Sequence, residues 1–516
     1  MASTVDQDAT IEASAAATTS SETSPLLPRP DQRSCSPAKD DGWLRDRRKR
    51  SSTAAVLTVL VLAILAGAGA DQVLDPALTR IYESVLCRDY WRKHDPSLIG
   101  SDGGDGVKEE KCKIPEVQGE LAMLLGFQTG LSCIGSLLTA IPFGWGADET
   151  PYASDYGSPF FGLLLGYFWS IFPIKLVWLY SLHSFFGGGS PVVSAMVFVC
   201  ISDVVNESSR TSVFFQLAAA ELIIKFIAPP ISAALMTRSP WISILVADAL
   251  LILAIISVIF LPETLNFKHN LEGKSRSSSP GTQPRRSPTV KPSKTTSTLS
   301  RIRDSTAFLW ADWRIPVLLP TFIVHMLVVS DAGTILLQLI SSRFNISLAK
   351  ATVIVSLRAG CVTLLLLVIL PFVSSFIQRR FGLSALRRDL VLARATCACL
   401  CIGLLGIALA PNLPLMVIAL VVSVPGYGTM LLVRSILTTF VEKHHVARLY
   451  TIIGVVDTAG LMAGAPLLAE LFKKGGAMGG LWSGLPFLST AVMVGLVFFA
   501  VSIIGENAAD KRRAEE

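Results

Sequence analysis

Two apolar stretches of the chain each hold one acid where a hydrocarbon side chain would be expected. In the first, Arg210 ends a short polar turn containing Asp203. Glu221 then sits mid-run beside Lys225, and the run closes on Ala228-Pro229-Pro230. In the second, Arg448, Asp457 and Ala465-Pro466 recur in the same order at nearly the same spacing. An ionised side chain near the middle of a membrane helix costs about 2.5–3.5 kcal/mol on insertion scales, so each marks a functional position by default. Glu221 and Lys225 are four residues apart, share a helix face and can neutralise each other. Two chemistries are open there. One is a structural ion pair that makes insertion possible; the other is an acid that exchanges a proton while the ammonium holds an anionic group or resets its pKa. Asp457 has no Lys beside it. Arg358, at similar depth, is its expected partner, as a fixed bridge or as a pair broken by substrate.

His325 is the one histidine inside a predicted span, either a satisfied buried imidazole or a proton relay. Counting from the expected helix ends puts Asp71, Asp248 and Asp331 in the outer half of the membrane. The same counting puts Arg434 towards the cytosol, as the tether of a helix end. Pro229, Pro230 and Pro466 are expected to kink their helices and free backbone carbonyls, which suits a hinge.

The elements that position these residues are apolar runs. Of 516 residues, 51% are hydrophobic and only 16% charged, against about 25% charged in a globular domain. Runs long enough to cross the hydrocarbon, about 20 residues each, lie near 54–76, 118–143, 158–174, 177–201, 211–236 and 240–261. Six more lie near 315–339, 349–376, 391–410, 413–439, 448–471 and 481–504. The expected fold is an all-α membrane protein of about 12 transmembrane helices in two pseudo-symmetric six-helix halves. The expected organisation is a disordered tail over 1–52, a bundle over 53–264 with an outer loop over 77–117, a flexible cytosolic linker over 265–314, a second bundle over 315–504 and a tail over 505–516. Basic residues gather in the first tail, the linker, the turn Arg379 to Arg388, the turn ending at Arg448, and Lys511-Arg512-Arg513. All fall on one side of an even-numbered bundle, so both termini are expected in the cytosol. Net charge +6 is therefore no sign of nucleic-acid binding.

Cys87 and Cys112 flank the 77–117 loop and can pair if it faces an oxidising space. Nothing resembles a phosphate-cradling Gly-Lys-Ser/Thr loop, a metal-ligand cluster or a nucleophile elbow. Enzymatic chemistry, a cofactor and ATP-driven pumping are not expected, and an ion gradient is the natural energy source.

Particular words carry a family resemblance. Leu78-Thr-Arg80-Ile-Tyr82-Glu83-Ser-Val-Leu-Cys87-Arg88, Cys112-Lys-Ile-Pro-Glu-Val-Gln118, Ser202-Asp203, Ala228-Pro-Pro230, Leu261-Pro-Glu-Thr264, Leu357-Arg358-Ala-Gly360 and Gly480-Leu-Trp-Ser-Gly-Leu-Pro486 resemble a fungal branch of the major facilitator superfamily. That branch is distantly similar to tetracycline exporters and the proton-coupled folate transporter, and Asp71 matches an acid found at this place in it. Glu22-Thr-Ser-Pro-Leu26-Leu27 resembles the acidic dileucine address read by sorting adaptors in fungal vacuolar proteins. One departure is plain. The superfamily's basic turn between its second and third helices reads here Gly144-Trp-Gly-Ala-Asp148-Glu-Thr-Pro-Tyr-Ala-Ser-Asp155-Tyr-Gly157, with the Gly and Asp kept and the basic cluster missing.

The resemblance implies a secondary active transporter that moves a small organic solute by alternating access, with protons as the expected coupling partner. The membrane implied is the plasma membrane or the vacuolar membrane. The missing basic cluster leaves room for an alternative, a transporter-like receptor or scaffold that binds without moving its ligand.

Overall fold

The computed structural model describes residues 42–100, 107–146, 174–181, 201, 205, 207–259, 307–310, 312–382, 384–441 and 445–505. The expected span at 158–174, most of that at 177–201, the linker, and Glu22, Leu26, Leu27, Asp148 and Asp203 lie outside them. The side chains whose contacts build the sites below all belong to the unit formed by residues 52–516.

The architecture is helical throughout the described residues. Helix α1 covers Gly42–His94, α2 Pro115–Gly146, α3 Glu207–Met236 and α4 Pro240–Ile259. Helices α5 (Pro320–Ser330) and α6 (Leu336–Arg343) form one bent span, broken where Gly333 leaves helical geometry. Helix α7 (Leu348–Leu364) continues through a wider turn at Leu365–Ile369 into α8 (Leu370–Phe381). Helix α9 covers Ala385–Leu409 and α10 Leu413–Ser423. A tight turn at Val424–Gly428 leads into α11 (Thr429–Phe440), and α12 (Val446–Met478) and α13 (Leu485–Ile503) close the chain. Among the described residues nine helices are long and apolar enough to span a membrane, ten with the bent pair.

Side chains sort by environment as a bilayer dictates. Leu245, Ile259, Phe372, Leu496 and Phe499 stand exposed, where lipid replaces water as the outer medium, while Tyr82, Phe322 and Phe487 are fully buried. With lipid outside, hydrophobic burial does not drive one helix against another. Close packing and small residues do. On α2, Gly126 and Gly130 face Ala465, Pro466 and Ala469 of α12. A Cβ on Gly126 would stand 2.8 Å from the Ala465 carbonyl oxygen and from the Ala469 methyl. Gly360 of α7 likewise seats the Phe226 ring of α3, and Thr363 Oγ1 donates to the Leu222 carbonyl at 3.1 Å. These two contacts join helices that precede residue 260 to helices that follow residue 306.

The expected loop at 77–117 is corrected. Helix α1 runs on through Pro76 to His94, and the described residues of the connection proper hold short turns at Pro96–Leu98 and Glu109–Cys112. Residues 77–94 read as polar because several carry charges that bind one another inside the fold.

Candidate functional site

Among the polar clusters in the described part of the bundle, three hold expected site residues or tie distant parts of the chain together. The first lies between α11 and α12. Arg434 sits roughly 9 Å inside the end of α11 and Asp457 roughly 16 Å inside the start of the antiparallel α12, at 1.5 Å rise per residue. The arginine stem closes that difference, extending along apolar surface with its head free to pair. Arg434 Nη2 donates to Asp457 Oδ2 at 2.9 Å, with the side chains 36% and 15% exposed. The guanidinium stands 5.7 Å from the Phe322 ring centroid, and His325 of α5 lies within its electrostatic reach. The pair is half made: Arg434 Nε and Asp457 Oδ1 are buried with no hydrogen-bond partner. A buried carboxylate oxygen without a donor is costly. It is also a ready acceptor for a proton or a ligand donor.

Two expectations change here. Asp457 pairs with Arg434, not Arg358, and Arg434 reaches into the bundle instead of tethering a helix end. Arg358 is engaged elsewhere, because α7 packs on the turn at Val424–Gly428. Its Nη1 donates to the Tyr427 hydroxyl at 2.6 Å, and its guanidinium stands 5.4 Å from that ring's centroid.

The second cluster is on α3. Lys225 Nζ donates to Glu221 Oε1 at 2.7 Å, both side chains about half exposed. Each directly precedes a residue that meets α7, Leu222 and Phe226. The pair therefore flanks the contact between α3 and α7. Asp71 is exposed on α1 and Asp248 half-buried on α4. Arg448 is exposed at the start of α12. Asp331 and Arg210 lie on described backbone, with side chains outside the described set. Helices α3 and α12 run on through Pro229, Pro230 and Pro466 without interruption.

The third cluster sits where α1 ends and α2 begins, and its roles are not legible in the sequence. Cys87 of α1 is joined to Cys112. Glu83, fully buried, accepts from Arg80 at 2.8 Å, Lys113 at 2.7 Å and Gln118 at 2.6 Å. Glu109 accepts from Lys113 at 2.9 Å and from the Leu348 backbone N–H at 2.7 Å, with Arg80 Nε 3.5 Å away. Burial alone pushes the Glu109 carboxyl up. The charges of Arg80 and Lys113 and the Leu348 N–H outweigh it and hold the group below the ordinary carboxylate range. Two acids and two bases make the cluster neutral, which is how charge becomes tolerable in a dry site. The signals in the sequence were the expected pairing of Cys87 with Cys112 and Arg80 and Glu83 at helical spacing just ahead of Cys87.

Residues 114–465 match the family model of the Major Facilitator Superfamily. A chain of Aspergillus flavus named an MFS-type transporter is 29% identical over 494 residues, covering 94% of each chain. A chain of Emericella nidulans named an MFS efflux pump is 28% identical over 480 residues, covering 89% of this chain and 91% of its own. The fold matches that of a bacterial homologue of the iron transporter ferroportin (TM-score 0.54, 15% identity, 87% of this chain and 98% of that one). It also matches the xylose transporter XylE from E. coli (TM-score 0.52, 10% identity, 89% and 99%).

Proposed function

The chain belongs to the Major Facilitator Superfamily and is an integral multi-pass membrane transporter of small solutes, not an enzyme; from that premise we propose that it moves a small organic solute by alternating access, driven by protons. The observation that carries the coupling is the half-made Arg434–Asp457 pair, with Asp457 Oδ1 buried and unpartnered. Such an acid can exist in two protonation states, each favouring a different arrangement of its arginine. With the proton absent, Arg434 stays bound to Asp457; with it present, the guanidinium is released to an anionic or acceptor group of the solute. Glu221 and Lys225, at the flank of the α3–α7 contact, form the corresponding pair in the first half.

Export is the direction favoured by the relatives that carry the name efflux pump, among them the Emericella nidulans chain. The placement of basic residues supports cytosolic termini, which puts the disulfide on the outer or lumenal face. There an oxidising environment maintains it. The dileucine word keeps the vacuolar membrane beside the plasma membrane as a destination, with a sorting adaptor as the reader of Glu22, Leu26 and Leu27.

The test is thermal stability of the purified protein against a metabolite and drug panel at one pH above and one below neutrality. A ligand that binds the folded form alone raises stability by mass action. A hit whose effect depends on pH in the wild type and loses that dependence in Asp457→Asn supports proton coupling through this acid. A hit that is indifferent to both pH and the substitution overturns it.

A further inference from the structure

The third cluster touches a second part of the chain at one carboxylate. Leu348 is the first residue of α7, and the first amides of any helix lack partners within it. Ser347, the N-cap, accepts from the Lys350 N–H at 3.4 Å, while the Leu348 N–H donates across the molecule to Glu109 Oε1 at 2.7 Å. A carboxylate is the favoured occupant of that end of the helix dipole. Glu109 is held rigidly from its own side by Lys113, Arg80 and, three residues on, the Cys87–Cys112 bridge. It therefore cannot follow α7 if the two groups of helices rock apart.

We propose that Glu109 is the latch of the disulfide-bearing end: a positioning residue that holds α7 against the α1–α2 cap and is released when that end opens. The contacts beside it have different physics. Glu120 and Lys473 bridge α2 and α12 at 2.7 Å but are about half exposed, and a pair of that kind contributes little. The small-residue seam of Gly126 and Gly130 against Ala465 and Ala469 is apolar and short-range. Glu109 is a partly buried, charge-assisted contact spanning 239 residues of sequence, and it comes from a covalently closed cap. Closure is thereby tied to the integrity of the disulfide.

The latch rests on the alternating-access reading, so its test measures conformation and not flux. Spin labels on Glu116→Cys and Met478→Cys, both exposed positions at adjoining ends of α2 and α12, report opening of this end in the full-length protein. The background for these labels lacks the thiols outside the bridge. Glu109→Ala should raise the ratio of open to closed distances roughly tenfold or more, the scale of a lost hydrogen bond to a charged group. Glu109→Gln, which keeps an acceptor oxygen and loses the charge, should give a smaller shift in the same direction. The Cys87→Ser, Cys112→Ser double variant, labelled by an amber-codon route, should open the end as well. If Glu109→Ala fails to fold, Glu109→Gln decides. A distance distribution unchanged from the wild type in a folded Glu109 variant overturns the latch and leaves proton coupling untouched.

Discussion

Arg434 and Asp457 meet at 2.9 Å between two antiparallel helices, and each keeps one buried polar atom unsatisfied. A pair built only for stability would be expected to close both contacts, since arginine and carboxylate fit two-by-two. Removing one partner strands the other. Arg434 is about one-third exposed, so Asp457→Asn should cost less than the roughly 3–5 kcal/mol of a fully buried pair, about 1–3 kcal/mol. The double variant Arg434→Met, Asp457→Leu should regain most of that stability and none of the coupled transport. Thermal melts alongside flux assays separate the two effects.

Glu221 and Lys225 make the opposite prediction. Their pair is about half exposed; on a water-filled solute path, as the transport reading has it, Glu221→Gln should leave the melting temperature nearly unchanged, within about 0–1 kcal/mol. Transport should nonetheless fall by roughly tenfold or more if this acid takes part in coupling. Normal activity with normal membrane insertion would assign the pair a structural role.

Glu83 is fully buried and accepts three charged or polar donors. Glu83→Ala leaves Arg80 and Lys113 with only Glu109 to balance them, and should lower stability by about 3–5 kcal/mol. Calorimetry or detergent melts of the purified protein would read this directly. A small loss would mean that water replaces the carboxylate and that the cap is wetter than its burial indicates.

The latch has a defined pH window. The Glu109 carboxyl is held below its ordinary range when α7 is docked. Its contribution to closure is thus complete above the ordinary carboxylate pKa and is lost only as pH falls through the depressed docked value. Arg80, Lys113, Glu83 and the Leu348 amide surround it, and no histidine is among them. Closure of the disulfide end should be flat between about pH 5 and 8, with weakening only in stronger acid. Distance measurements across that range check it, and a change near neutrality would contradict the assignment.

Much of the fold was legible in the residues alone, and the failures have physical causes. Apolar runs mark the helices because lipid leaves the backbone no other way to satisfy its hydrogen bonds. The end of α1 was hidden because hydropathy counts Arg80 and Glu83 as polar. A helix whose charges bind inward to Lys113 and Gln118 has no reason to stop where hydropathy falls. Depth counting found Asp457 and Arg434 but not their pairing, since it locates a Cα and not the end of an arginine stem. Glu109 gave no local signal at all: its partner is a backbone amide 239 residues away.

Proton coupling through Asp457 is tested most directly by proton movement evoked by solute in proteoliposomes loaded with a pH-sensitive dye, using hits from the stability panel. Wild-type protein should give a solute-evoked pH change and Asp457→Asn none, while the variant still binds the solute. Solute flux without proton movement, or an equal pH response from Asp457→Asn, would contradict the coupling.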